Sequence, residues 1–96
     1  MRVLVTYDVS TLSREGQRRL RRVARVCEDF GQRVQKSVFE CSLDEKQFVV
    51  FRSRLLDEVD LEEDSVRLYR LSGVFREMVE HHGRDSSVDF DGPLIV

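Results

Sequence analysis

Apolar and polar positions change period several times along this chain of 96 residues. Val3, Leu4, Val5, Thr6 and Tyr7 form a near-continuous run of good strand formers ending in Asp8, which predicts a first strand over 2–8, central and buried on both faces. After a polar connection over 11–16 the period lengthens. Leu20, Val23, Ala24 and Cys27 fall at helical spacing, Phe30 continues the stripe, and Gly31 stands where a helix would stop. The segment 33–43 alternates, but Val34 is out of phase with Ser37, Phe39, Cys41 and Leu43. That shift predicts two short strands separated by a turn or bulge near 35–37. Asp44 with Gln47 three residues later reads as a helix N-cap, and Phe48, Phe51, Leu55 and Val59 form the apolar side of the helix it opens. An acidic connection, 60–64, precedes a strand in which Val66 and Leu68 alternate with Arg67 and Tyr69.

Strand, helix, two strands, helix, strand is the order of a split βαβ unit. It predicts an α+β, ferredoxin-like βαββαβ fold with an antiparallel sheet and both helices on one face. Residues 1–71 account for this core of a single domain, and 72–96 form a C-terminal extension. Within the extension, 78–81 reads as a short strand. Pro93 and the apolar Leu94, Ile95 and Val96 read as an extra edge strand, docked on its own sheet or, preferentially, exchanged onto a second copy in a homodimer.

Composition narrows the setting. The first 24 residues lack a signal-peptide pattern and no run of about 18 apolar residues occurs, so a cytoplasmic protein with no membrane partner is expected. Cys27 and Cys41 lack the paired spacing of a zinc site and read as buried thiols.

The net charge of −2 hides an asymmetry: residues 1–48 hold ten basic and seven acidic side chains, residues 49–96 six and eleven. Arginine outnumbers lysine fourteen to two, and six arginines lie between Arg14 and Arg25 against one acid, Glu15. Arg18, Arg21, Arg22 and Arg25 share one helical face roughly opposite Leu20, Val23 and Cys27. Like charges at such spacing repel. The face is either solvated and relieved by acids elsewhere or a binding surface for a phosphate backbone. It carries no Asn or Gln that would read bases.

Asp8 admits two readings. It starts a turn by bonding the backbone at Ser10, or it is a ligand for a hard cation, since Mg²⁺ is commonly held by one or two carboxylates plus water and phosphate. Arg33, Ser37 and Phe39 flank the strand turn, where Phe39 either packs in the core or presents its ring to a nucleic-acid strand. His81 and His82, adjacent on a strand, would point to opposite faces and so could not hold one ion together.

The stretches "VLVTYDVS", "RRLRRVARVCEDFGQRVQKSVFEC", "DSVRLYRL", "VEHHG" and "GPLIV" closely resemble, in order and over nearly the whole length, the small CRISPR-associated Cas-two proteins. The resemblance implies a ferredoxin-like homodimer with its C-terminal strand on the partner's sheet. It implies a metal-dependent endonuclease, using Mg²⁺ or Mn²⁺, that cleaves single-stranded RNA or double-stranded DNA. It also implies a part in spacer acquisition, in which the dimer bridges two dimers of the Cas-one integrase, and a non-catalytic adaptor that only binds duplex DNA is the alternative. By position, Asp8 corresponds to the metal-binding aspartate, one from each subunit, with Tyr7 beside it. Arg33 and Phe39 fall on positions tied to nuclease activity, and Arg18, Arg22 and Arg33 on positions that contact nucleic acid. The segment 81–92, "HHGRDSSVDFDG", has no assigned role.

Overall fold

The structure is a computed structural model and describes residues 1–83. Its elements are β1 (Arg2–Asp8), α1 (Arg14–Phe30), β2 (Gly31–Gln35), β3 (Val38–Ser42), α2 (Glu45–Glu58), β4 (Ser65–Leu71) and a four-residue α3 (Phe75–Met78). The strands form one antiparallel sheet in the order β2-β3-β1-β4. This is the expected α+β, ferredoxin-like arrangement, with β1 central.

Burial along β1 alternates. Val3, Val5 and Tyr7 point into the core, whereas Leu4 and Thr6 are half-buried and Asp8 is exposed. The expectation of a first strand buried on both faces is therefore corrected. With both helices on one side, only alternate residues of the strand meet them. Register carries the same division across the sheet. Val3 and Val5 lie opposite Cys41 and Phe39 of β3, all on the helix side, while Thr6 and Asp8 lie opposite Arg67 and Ser65 of β4 on the far side.

The core is Val3, Val5, Tyr7, Val9, Val23, Val26, Cys27, Phe39, Cys41, Leu43, Phe48, Phe51 and Leu55. Both cysteines are free thiols inside it, and burial pushes each up to about 12, so neither is a nucleophile at neutral pH.

The helix boundaries follow from their caps. α2 begins on the expected capping box: the Asp44 carboxylate accepts from Gln47 N–H at 2.7 Å and the Gln47 side chain accepts from Asp44 N–H at 2.9 Å. α1 starts at Arg14, within the stretch expected to be a connection, because the Ser13 hydroxyl caps it by accepting from Gly16 N–H at 3.0 Å. Gly16 is a poor helix former by propensity, but a Cβ there would sit 1.9 Å from the Ser10 carbonyl oxygen. Only glycine lets the first turn of α1 pack so close to the chain leaving β1. At the other end α1 passes directly into β2 without a loop, and glycine is needed at the junction because a Cβ on Gly31 would meet the Glu40 carbonyl at 2.4 Å and Cys41 Sγ at 2.5 Å.

β2 and β3 are joined by a tight turn, and their register slips between Arg33 and Gln35. This is the irregularity that the phase shift of Val34 predicts. The strand expected at 78–81 is not formed: Phe75–Met78 is a short helix and residues 79–83 are irregular. Met78 is taken up by the helical turn that the Glu77 N–H closes on the Val74 carbonyl at 3.0 Å, and Gly73, at φ +87°, turns the chain after β4. Pro93 and the apolar terminus 94–96 lie outside the described residues. Among the described residues, no helix is long and apolar enough to cross a membrane.

Candidate nucleic-acid interface and metal-binding carboxylate

At its C-terminal end β1 places two adjacent side chains on opposite faces. Asp8 points to the far side, exposed, and among the described residues its carboxylate makes no hydrogen bond or ion pair. The turn-forming reading of Asp8 fails on one contact, because Ser10 N–H donates instead to Asp64 Oδ1 at 3.0 Å. Asp64 organises this corner. It also accepts from Asp60 N–H at 2.9 Å and from Arg19 Nε at 2.9 Å, with its side chain wholly covered and that of Arg19 13% exposed. Burial alone would raise the Asp64 carboxyl. The hydrogen bonds from Arg19, Asp60 and Ser10 outweigh it and hold the group below the ordinary carboxylate value.

Asp8 thus reaches solvent with both lone-pair sets free. Ser65 stands directly opposite it on β4, and Arg67, two residues further along that strand, shares its face. Arg67 donates to the Tyr69 hydroxyl at 3.1 Å and has no carboxylate partner among the described residues. Sequence reasoning missed Ser65 and Arg67, because their place beside Asp8 depends on the antiparallel register of β4 on β1. The alternation of "SVRLY" alone could have put both on one face.

Tyr7 takes the other side. It is buried, stacks on Phe39 with centroids 6.2 Å apart and planes at 23°, and donates its hydroxyl to the Lys36 carbonyl at 3.4 Å. Burial raises its pKa, so the phenol is a proton-bearing donor at neutral pH and not a base. Phe39 is fully buried, so it presents no ring to a strand of nucleic acid. Instead it seats Arg33, whose guanidinium lies 4.9 Å above the ring centroid, donates to the Lys36 carbonyl and touches Glu28 at 3.5 Å. Tyr7, Arg33 and Phe39 are therefore one cluster on the helix side. Within one protomer Asp8 is not part of it.

On α1, Arg18, Arg21, Arg22 and Arg25 line a groove of about 280 Å³. Arg18 pairs with Glu15 at 3.2 Å, both well exposed, while the other three have no carboxylate partner among the described residues. Arg19, in the same run, is spent on Asp64 and belongs to the fold.

His81 and His82 stand off any strand. His82 Nε2 lies 2.8 Å from a Glu80 carboxylate oxygen and His81 Nε2 2.9 Å from the Gly83 carbonyl. Among the described residues no group of three or more His, Cys, Asp or Glu side chains could hold a metal ion. A metal bound at this surface would therefore rest on one carboxylate per chain. Asp8, exposed and unpaired, fits a hard cation that keeps most of its water.

The family model for the CRISPR associated protein Cas2 matches residues 1–78. The CRISPR-associated endoribonuclease Cas2 1 of Moorella thermoacetica is 51% identical over 96 residues, all of both chains. The CRISPR-associated endonuclease Cas2 of Halalkalibacterium halodurans is 48% identical over 95 residues, covering 99% of each. The crystal structure of Streptococcus pyogenes Cas2 superposes with a TM-score of 0.78 at 49% identity, covering 86% of this chain and all of that one. On its sequence and its fold, this chain belongs to the Cas2 family of CRISPR-associated proteins.

Proposed function

We propose that this chain is a metal-dependent endonuclease that hydrolyses phosphodiester bonds in single-stranded RNA or duplex DNA, and that it works as a homodimer in spacer acquisition beside the Cas1 integrase. The observation that carries the nuclease reading is the exposed Asp8 carboxylate, relieved of any turn-forming duty by Asp64. The relatives' names, endoribonuclease and endonuclease, support it.

Bound at Asp8, Mg²⁺ or Mn²⁺ would supply an activated water and charge stabilisation for the phosphate under attack. The chain's own groups do the rest. Arg67 places a guanidinium on the same face, where it neutralises and orients a phosphate oxygen. Ser65 offers a hydroxyl directly across from Asp8. The row Arg18, Arg21, Arg22 and Arg25 holds the backbone of the nucleic acid without reading its bases. Phe39 and Tyr7 are positioning residues, since they hold Arg33 and the β2–β3 turn from beneath. Two copies of Asp8 brought together in a homodimer would repel each other, and a divalent ion shared between them removes that cost.

A second reading, an adaptor that grips a duplex while the integrase does the chemistry, draws on the same arginine row and on the lack of an evident general base near Asp8 among the described residues. Asp8→Ala separates the two. Loss of metal-stimulated cleavage with retained spacer integration is the expected result and assigns both roles to one protein. Cleavage by the variant at the wild-type rate would remove Asp8 from the chemistry.

A further inference from the structure

The helix side of the sheet opens, between α1 and the β2–β3 turn, into a cleft of about 320 Å³, within the range of about 300–1,000 Å³ typical of small-molecule sites. It is lined in its depth by the buried Tyr7 and the half-buried Leu20, Ala24 and Ser37, and at its mouth by the exposed Arg21, Arg33 and Lys36. Arg21 and Lys36 have no carboxylate partner among the described residues, whereas Arg33 is held by the Lys36 carbonyl, by Glu28 at 3.5 Å and by the Phe39 ring beneath it. The cleft lies on the opposite face of the sheet from Asp8, so it is not part of the metal-binding end.

The cleft is open to solvent, and three cations around one mouth repel each other, a cost that an anionic ligand would remove. A largely apolar depth under a cationic mouth is complementary to a ligand that joins an apolar body to an anionic group, as a nucleotide joins its base to its phosphate. Arg21 also lines the groove of Arg18, Arg22 and Arg25 on α1, so the cleft opens beside the track assigned to the nucleic-acid backbone.

We propose that this cleft receives one unstacked nucleoside 5′-phosphate, its base against Tyr7, Leu20 and Ala24 and its phosphate against Arg21, Arg33 and Lys36. The inference rests on the nucleic-acid reading above. Its ligand chemistry is common to a free mononucleotide and to the unpaired end of a strand.

Methyl NMR of the full chain, titrated separately with AMP, adenosine and inorganic phosphate, tests the site without involving Asp8, Arg18 or Arg22. AMP is expected to shift the Leu20 and Ala24 methyls and to bind about tenfold or more tighter than either fragment. Unmoved methyls at saturating AMP overturn the proposal whatever the nuclease assays show. Ala24→Leu fills the floor and keeps every cation. It is expected to abolish the AMP shifts at Leu20 and to weaken a duplex bearing one unpaired 5′-phosphorylated nucleotide about tenfold, while a blunt duplex binds as before. Wild-type AMP affinity in this variant overturns the proposal. If Ala24→Leu does not fold, Lys36→Gln, on an exposed side chain, takes its place, and undiminished AMP affinity again refutes the site. AMP binding without preference for the unpaired end identifies a free mononucleotide as the occupant; a preference identifies the strand.

Discussion

Replacing Arg18 and Arg22 with alanine removes two of the four guanidiniums that line the α1 groove and leaves Arg21 and Arg25 in place. Each phosphate neutralised by a bound cation releases counterions. Four contacts per protomer to a duplex give a slope of about −3.6 in log K against log salt, and two give about −1.8. Between about 50 and 200 mM KCl each wild-type protomer on the duplex should then contribute a loss of roughly 150-fold in affinity and each protomer of the double variant roughly 12-fold. The variant also binds more weakly at every salt concentration where binding is measurable. Folding is not the cause, because Arg18 gives up only its exposed pair with Glu15, which contributes at most about 1 kcal/mol. Arg22 gives up no ion pair among the described residues. Fluorescence anisotropy of a labelled blunt duplex across the salt series reads both slopes. Equal slopes for the two proteins, with unchanged affinity at low salt, would show that this helix face is merely solvated.

Asp64→Ala strands the Ser10 and Asp60 N–H groups and the mostly covered Arg19. It should cost roughly 3 kcal/mol, or a fall of about 12–24 °C in Tm for a chain of this size. Thermal unfolding checks it, and a loss under about 1 kcal/mol would contradict the role given to this carboxylate. Because the folded-state pKa of Asp64 is depressed, its contribution is complete above the unfolded value of about 3.9 and is lost as pH falls through the folded value. Urea midpoints measured from about pH 5 down to pH 2 should therefore fall more steeply for the wild type than for Asp64→Asn. Gly16→Ala gains up to about 1 kcal/mol of intrinsic helix propensity. Even so it should destabilise the protein by about 1–3 kcal/mol, since its Cβ meets the Ser10 carbonyl. A more stable variant would mean that the two backbones can part freely.

The order of elements, the cap of α2 and the slip in the β2–β3 hairpin were legible because each is a local pattern: a period, a capping pair, a phase shift. The start of α1 was not. Gly16 looks like a helix breaker until the Ser10 carbonyl pressed against it is seen, and that contact belongs to the tertiary structure. The same limit hid Asp64. In the sequence it is one acid among several over 60–64, and its pairing with Arg19 spans 45 positions. Separating Arg19, which holds the fold together, from Arg18 and Arg22, which face outward, likewise required the loop before β4 to be in place. Asp8 stood out as a charge ending an apolar run, and its neighbours Ser65 and Arg67 emerged only with the strand register. Tyr7 and Asp8 are adjacent in the chain and so read as one site, but strand alternation puts them on opposite faces.

In the proposed function the Asp8 carboxylate holds a divalent ion. Amide NMR of the folded chain titrated with Mn²⁺ tests it directly, because the paramagnetic ion broadens nearby resonances whether or not the protein turns over a substrate. Broadening centred on Asp8 and Ser65, reversed by excess Mg²⁺ and absent in Asp8→Asn, is the predicted result. Broadening centred elsewhere, or unchanged by the Asp8→Asn substitution, would mean that Asp8 does not hold the ion.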